Sequence, residues 1–273
     1  MVVSTALRTA KYLSLFFLVL VVLLPVYVLL VTSFKPLSEA DPTQAWRLPQ
    51  HFTTEAWSTA YNTLREPLRN SVFLTVPGSL ISATLGSLNG YVLAKWRFPH
   101  ADLVFTLMLF GMFIPYQSVM IPLVQLWTNL GLSGSVSGLM LAHIVYGIPI
   151  CTLIFRNYYA SIPTELIEAA RVDGAGMIRA YSSVVLPNSG PAFVVVVIWQ
   201  FTAMWNDFLF AVFLNAGGSQ PVTVALNNLA GSQVVPFNQQ MAAALLASLP
   251  TLVVYIVLGR FFMRGLMAGA LRD

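Results

Sequence analysis

Charge is scarce in this chain of 273 residues: Asp, Glu, Lys and Arg make up 9% of it, against roughly 25% in soluble domains. So little charge cannot clothe a soluble surface, and hydrophobic residues reach 57%. Lysine is scarcer still, with only Lys11, Lys35 and Lys95. A phosphate-cradling P-loop needs glycine directly before its lysine, whereas these three follow Ala10, Phe34 and Ala94. The chain therefore carries no such loop, and energy for uphill work would have to come from another polypeptide or an ion gradient. Basic clusters are missing, which argues against a nucleic-acid partner. Cys151 is the single cysteine and lies in an apolar run, so no disulfide framework and no thiolate metal site is expected. His51, His100 and His143 are far apart, and neither a metal nor a cofactor is expected.

What the chain has in plenty is long apolar sequence. Six runs, at 12–34, 71–94, 103–126, 136–155, 191–214 and 241–262, meet the requirement of about 20 residues for a bilayer crossing. The expected fold is an all-α membrane protein of six transmembrane helices, one transmembrane domain over 1–273. Arg8 and Lys11 precede the first run in the manner of a signal peptide. Its apolar part exceeds the usual 7–15 residues and no small-residue cleavage site follows, so a retained helix is expected. Every run contains proline, at Pro25, Pro77, Pro115 with Pro122, Pro149, Pro191 and Pro250. Proline frees a backbone carbonyl and bends a helix.

Orientation follows from the placement of cations. With the N-terminus inside, the inner segments hold Arg8, Lys11, Lys95, Arg97, Arg156, Arg171, Arg179, Arg260, Arg264 and Arg272. The outer segments hold only Lys35, Arg47, Arg65 and Arg69, all in the long loop 35–70. Both termini are then cytoplasmic. The 35–70 loop carries Trp46, Phe52 and Trp57, and a short helix near 54–64 is expected on the outer face. In the polar loop 215–240, the part at 221–229 reads as a short helix or re-entrant element.

One polar stretch stands out on the inner side, at 161–190. Pro163 suits a helix start, with Glu165 in the first turn. Asp173-Gly174 reads as a stop in which Gly174 takes positive φ. Met177, Tyr181, Val184 and Val185 then form an apolar stripe at helical spacing, ended by Leu186-Pro187. The expected product is a helix-turn-helix knob in the cytoplasm.

Glu168-Ala169-Ala170, then Gly174, then Val184 and Leu186-Pro187 resemble the EAA loop of ABC importer permeases. That pattern is EAA, three residues, Gly, nine residues, Ile, one residue, Leu-Pro; Val184 stands in the isoleucine place. The tail Phe262-Met263-Arg264-Gly265-Leu266-Met267-Ala268-Gly269-Ala270 is similar to the carbohydrate-uptake, maltose-permease-G-like branch of that family. So are Val31-Thr32-Ser33-Phe34-Lys35-Pro36 and Trp205-Asn206-Asp207. The resemblance implies a type I importer permease in a bacterial or archaeal plasma membrane. Its implied partners are membrane lipid, a second homologous permease subunit, a dimer of ATPase subunits and an extracytoplasmic solute-binding protein. It also implies that Glu168, Ala169, Ala170, Asp173, Gly174, Leu186 and Pro187 serve ATPase coupling, that Arg264, Gly265 and Gly269 touch the ATPases, and that hydrolysis occurs on separate chains.

For a substrate path the candidates are Gln117, Trp205, Asn206 and Asp207. Asp207 is the one carboxylate late in the fifth run, and it fits either a water-filled cavity or the headgroup zone. Amide and carboxylate groups hydrogen-bond sugar hydroxyls, and an indole face stacks on a sugar ring. A sugar is the expected cargo, with a polyol or glycerophosphodiester as the alternative. A secondary carrier or channel is the reading from another class.

Overall fold

A computed structural model describes residues 2–96, 98–215, 219–232 and 234–270, with side chains described between 7 and 259. Its helices are α1 Val2–Ser33, α2 Glu55–Lys95, α3 Ala101–Phe113, α4 Met120–Asn129, α5 Val136–Ala160, α6 Thr164–Val172, α7 Met177–Ala180, α8 Gly190–Trp205, α9 Leu209–Leu214, α10 Val222–Ala230 and α11 Phe237–Ala270. No strand occurs among the described residues. Four helices are long and apolar enough to cross a membrane, and up to six crossings arise if each of two bent pairs counts as one.

One bend falls inside the third run, and the other where the knob meets the fifth. Ala101–Phe113 and Tyr116–Asn129 meet at 86°. Pro115 disfavours the helical region for the residue before it, and Ile114 duly sits at φ −71°, ψ 117°. The second pair, Met177–Asn188 and Gly190–Trp205, bends by 80°. The fifth run also stops early: α8 ends at Trp205 rather than near 214, and α9 restarts at Leu209. By contrast Pro25, Pro67, Pro77, Pro149 and Pro250 lie inside unbroken helices.

The chain divides into two compact units, 1–66 with 225–249, and 67–224 with 250–273. In the first, the segment after α1 is clipped together by polar and ring contacts. Phe34 stacks between Phe52 and Trp57, at 4.6 and 5.4 Å. The almost wholly buried Lys35 donates to the Gln44 carbonyl at 2.8 Å, and Asn238 donates to the Lys35 carbonyl at 2.8 Å. Burial pushes the Lys35 ammonium below its usual range, against the pull of the Glu39 carboxylate. Glu39 accepts from the backbone N–H of Gln50 and His51 and contacts His51 Nδ1. These bonds, the His51 side chain first, hold the carboxyl below its usual range. The separate short helix expected at 54–64 does not exist as such. Ala56, Ala60 and Leu64 bury one face at i, i+4 and i+8, and the helix runs on unbroken as the start of α2.

In the second unit, α2 and α5 approach closely through two glycines on α2. A Cβ at Gly86 would collide with Cys151, and one at Gly90 would come 2.7 Å from the Phe155 Cβ. Close approach of this kind suits helices packed within a bilayer. Two apolar clusters fill the unit. One gathers Leu74, Trp127, Leu139, Phe210 and Leu214. The other gathers Tyr91, Cys151, Phe155, Tyr159, Ile167, Tyr181 and Val185. The second cluster seats the knob.

Candidate functional site

The knob is built as its residues dictate. Pro163 precedes α6, and Glu165 lies in the first turn. At the far end the Gly174 N–H donates to the Arg171 carbonyl at 3.0 Å, and the Ala175 N–H donates to the Ala170 carbonyl at 2.9 Å. Gly174 sits between them at φ +77°. This is a Schellman closure, which satisfies carbonyls a helix end otherwise leaves orphaned. Ile167 is buried and anchors α6 in the second cluster. Arg171 does not pair with Glu168; its guanidinium lies over the Trp96 ring, 4.3 Å from the centroid. Glu168 is exposed and, among the described residues, forms no ion pair.

The knob exposes several apolar side chains. Val172 is 88% exposed and Ile178 78% exposed, with Leu166 and Met177 also open. Ala169, Asp173, Leu186 and Pro187 are exposed and Ala170 is half-buried. The second helix is not a regular α-helix. It turns from α7 into a π turn at Tyr181–Val185 and then a 3₁₀ turn at Leu186–Asn188. π turns are rare and often mark functional positions.

Of the substrate-path candidates, Trp205, Asn206 and Asp207 follow one another at the end of α8, and Gln117 lies in the turn between α3 and α4. Gln117 is exposed in the turn between α3 and α4, beside Tyr116, which stacks on Phe210 at 5.0 Å. Trp205 is buried and stacks on Phe201 at 5.6 Å. The Asp207 side chain is 10% exposed. It lies past the end of α8 and accepts from the N–H groups of Phe210 and Ala211, capping α9. It stands 3.4 Å from Nε2 of His143, near enough for an ionic contact but outside hydrogen-bond geometry. Asn206 lines an open groove of about 440 Å³ together with Val195, Ile198, Trp199, Thr202, Ala203 and Tyr255. Trp199, exposed, and Thr202, 3.5 Å from the Tyr255 hydroxyl, line the same groove and are not among the sequence candidates. The spacing of Trp199, Thr202 and Asn206 at i, i+3 and i+7 was the available signal. Arg264, Gly265 and Gly269 fall in the backbone of α11, and their side chains, like Arg97, Arg260 and Arg272, lie outside the described residues.

Fold and site together define a multi-pass, all-helical membrane protein with a protruding helix-turn-helix knob. Residues 82–267 match the family described as binding-protein-dependent transport system inner membrane component. The xylose/arabinose import permease protein XacI of Haloferax volcanii is 33% identical over 289 residues, covering 96% of this chain and 93% of that protein. A probable ABC transporter permease protein of Pyrococcus horikoshii is 52% identical over 164 residues, 60% of each chain. A solved bacterial ABC transporter, involved in import of the acidic polysaccharide alginate, shares the fold, with a TM-score of 0.81 at 22% identity, over 94% of this chain and 97% of that one. The chain belongs to the binding-protein-dependent transport system inner membrane components, the permeases of ABC transporters. That membership displaces the carrier and channel readings.

Proposed function

We propose that this chain is a sugar-translocating permease subunit of an ATP-driven importer, with both termini in the cytoplasm. The observation that carries this reading is the knob over 164–188, on a chain of this family. It offers exposed apolar side chains and an exposed carboxylate, Glu168, which suit insertion into a cleft on a partner. ATP hydrolysis is assigned to a dimer of separate ATPase subunits that grip Glu168, Ala169, Ala170, Asp173, Gly174, Leu186 and Pro187. A second, homologous permease subunit completes the pathway, and an extracytoplasmic binding protein delivers the solute. The sugar assignment draws on the pentose named for the Haloferax relative and the polysaccharide named for the alginate transporter. The indole of Trp199 beside Thr202 and Asn206 has the right chemistry, an apolar ring face and hydroxyl partners.

The test is reconstitution of the full complex in proteoliposomes, with a panel of pentoses, hexoses and oligosaccharides. Uptake should require ATP and binding protein and should be selective for one sugar class. Trp199→Ala should lower uptake with assembly intact. Uptake of a non-sugar solute only would overturn the cargo, and uptake without ATP would overturn the mechanism.

A further inference from the structure

Four hydroxyls meet in the second unit where no apolar core needs them. Ser87 Oγ on α2 lies 2.6 Å from the Tyr159 hydroxyl on α5 and 2.8 Å from the Tyr181 hydroxyl in the π turn. Ser189 Oγ lies 3.0 Å from the same Tyr159 hydroxyl and donates to the Val185 carbonyl at 2.6 Å. Ser87, Tyr159 and Ser189 have no exposure, and Tyr181 is buried. Two flanking bonds tie α2 to α7 and to the segment between α5 and α6. Tyr91 donates to the Met177 carbonyl at 3.2 Å, and Lys95 donates to the Ile162 carbonyl at 2.6 Å.

The cluster thus starts and finishes on the π turn, at Tyr181 and at the Val185 carbonyl, and passes through α2 and α5 between. Ring packing surrounds these bonds. Tyr91 and Tyr181 rings sit 5.3 Å apart, and Phe155 packs on Tyr159 at 5.5 Å. Apolar contacts allow sliding, whereas hydrogen bonds in a low-dielectric interior fix distance and angle and are costly to leave unmade. The π turn carries both ends of the cluster, the Tyr181 hydroxyl and the Val185 carbonyl.

We propose that Ser87, Tyr159, Tyr181 and Ser189 form a hydroxyl clasp that keeps the 164–188 knob in register with α2 and α5, so that movement of the docked knob is passed to the membrane helices. These are positioning residues, since they touch neither nucleotide nor cargo. The inference rests on the reading of the knob as the ATPase-docking element.

The experiment uses the complete reconstituted complex and measures solute taken up per ATP hydrolysed. Tyr181→Phe removes only the hydroxyl and keeps the ring on Tyr91, so it should fold and assemble. The expected result is a fall in that ratio of about threefold to tenfold, with ATPase activity retained. Ser87→Ala removes the contacts to both Tyr159 and Tyr181, so its fall should be at least as large, and Ser87→Ala combined with Tyr181→Phe should be no worse than Ser87→Ala alone, because the bond lost in Tyr181→Phe is one of those two. A purely structural role would lower the melting temperature and leave the ratio in surviving complexes at the wild-type level, and that result overturns the proposal. If the wild-type complex itself shows no ATP-dependent uptake, the docking reading fails, and the clasp fails with it. If wild type couples normally while both single variants keep the wild-type ratio, only the clasp is overturned.

Discussion

The Ala175 N–H reaches back to the Ala170 carbonyl at 2.9 Å across Gly174, which holds φ +77°. The bond closes α6 and sets the angle at which the rest of the knob leaves it. An added Cβ at Gly174 would meet nothing within 4 Å. Conformation alone therefore decides what residue is tolerated there. Left-handed backbone costs an ordinary L-residue roughly 1–2 kcal/mol, more for a β-branched one and less for Asn. Gly174→Val should abolish coupled uptake, while Gly174→Asn should stay near wild type. Glu168→Ala should give a milder loss. The readings are uptake and binding-protein-stimulated ATPase activity of the assembled complex. Equal activity of the Val and Asn variants would remove the turn from the coupling argument.

The contact of α2 with α5 gives a second expectation. Gly86→Val would force a side chain into Cys151, an overpacking worth about 1–3 kcal/mol. Gly176, which has open space and ordinary φ, serves as the control. Gly86→Val should lower the melting temperature of the purified protein in detergent, and Gly176→Ala should leave it unchanged.

Acid should loosen the segment after α1. Glu39 is depressed in the folded state by bonds from His51 and Gln50, and Asp41 is depressed by bonds from Thr43. A depressed carboxyl contributes stability above its unfolded value, near 4.3 for Glu and 3.9 for Asp, and the contribution fades as pH falls through the folded value. Proteolysis within 34–54 should therefore quicken below about pH 4, and Glu39→Gln should make that segment labile already at neutral pH. Unchanged cleavage of Glu39→Gln at pH 7 would show that the clip does not order the segment.

Sidedness is open to direct test, because the native Cys151 is fully buried and gives no background. Ser182 and Ser219 are both exposed. Cysteines placed there should react with an impermeant maleimide from opposite sides of sealed vesicles, Ser182→Cys from the cytoplasmic face. Reaction of both from one face would contradict the charge-based orientation.

The sequence alone was enough for the membrane class, because long apolar runs and little charge leave no soluble alternative. It was also enough for the knob, because Pro163, Gly174 and Leu186-Pro187 act through local backbone rules that need no distant partner. Tertiary structure decided the rest. The runs at 103–126 and 191–214 looked continuous by hydropathy, which does not register the bend at Ile114-Pro115 or the end of α8 at Trp205. Trp205 and Asp207 stand out in the sequence by their chemistry, but the groups they meet are chosen by packing: Phe201, the N-terminal N–H groups of α9 and His143, the last 64 positions from Asp207 in sequence. Ser87, Tyr159, Tyr181 and Ser189 had no pattern at all in the linear chain. Hydroxyls separated by tens of residues become a cluster only when α2, α5 and the π turn pack, since a hydrogen bond is chosen by distance in space and not by spacing in sequence.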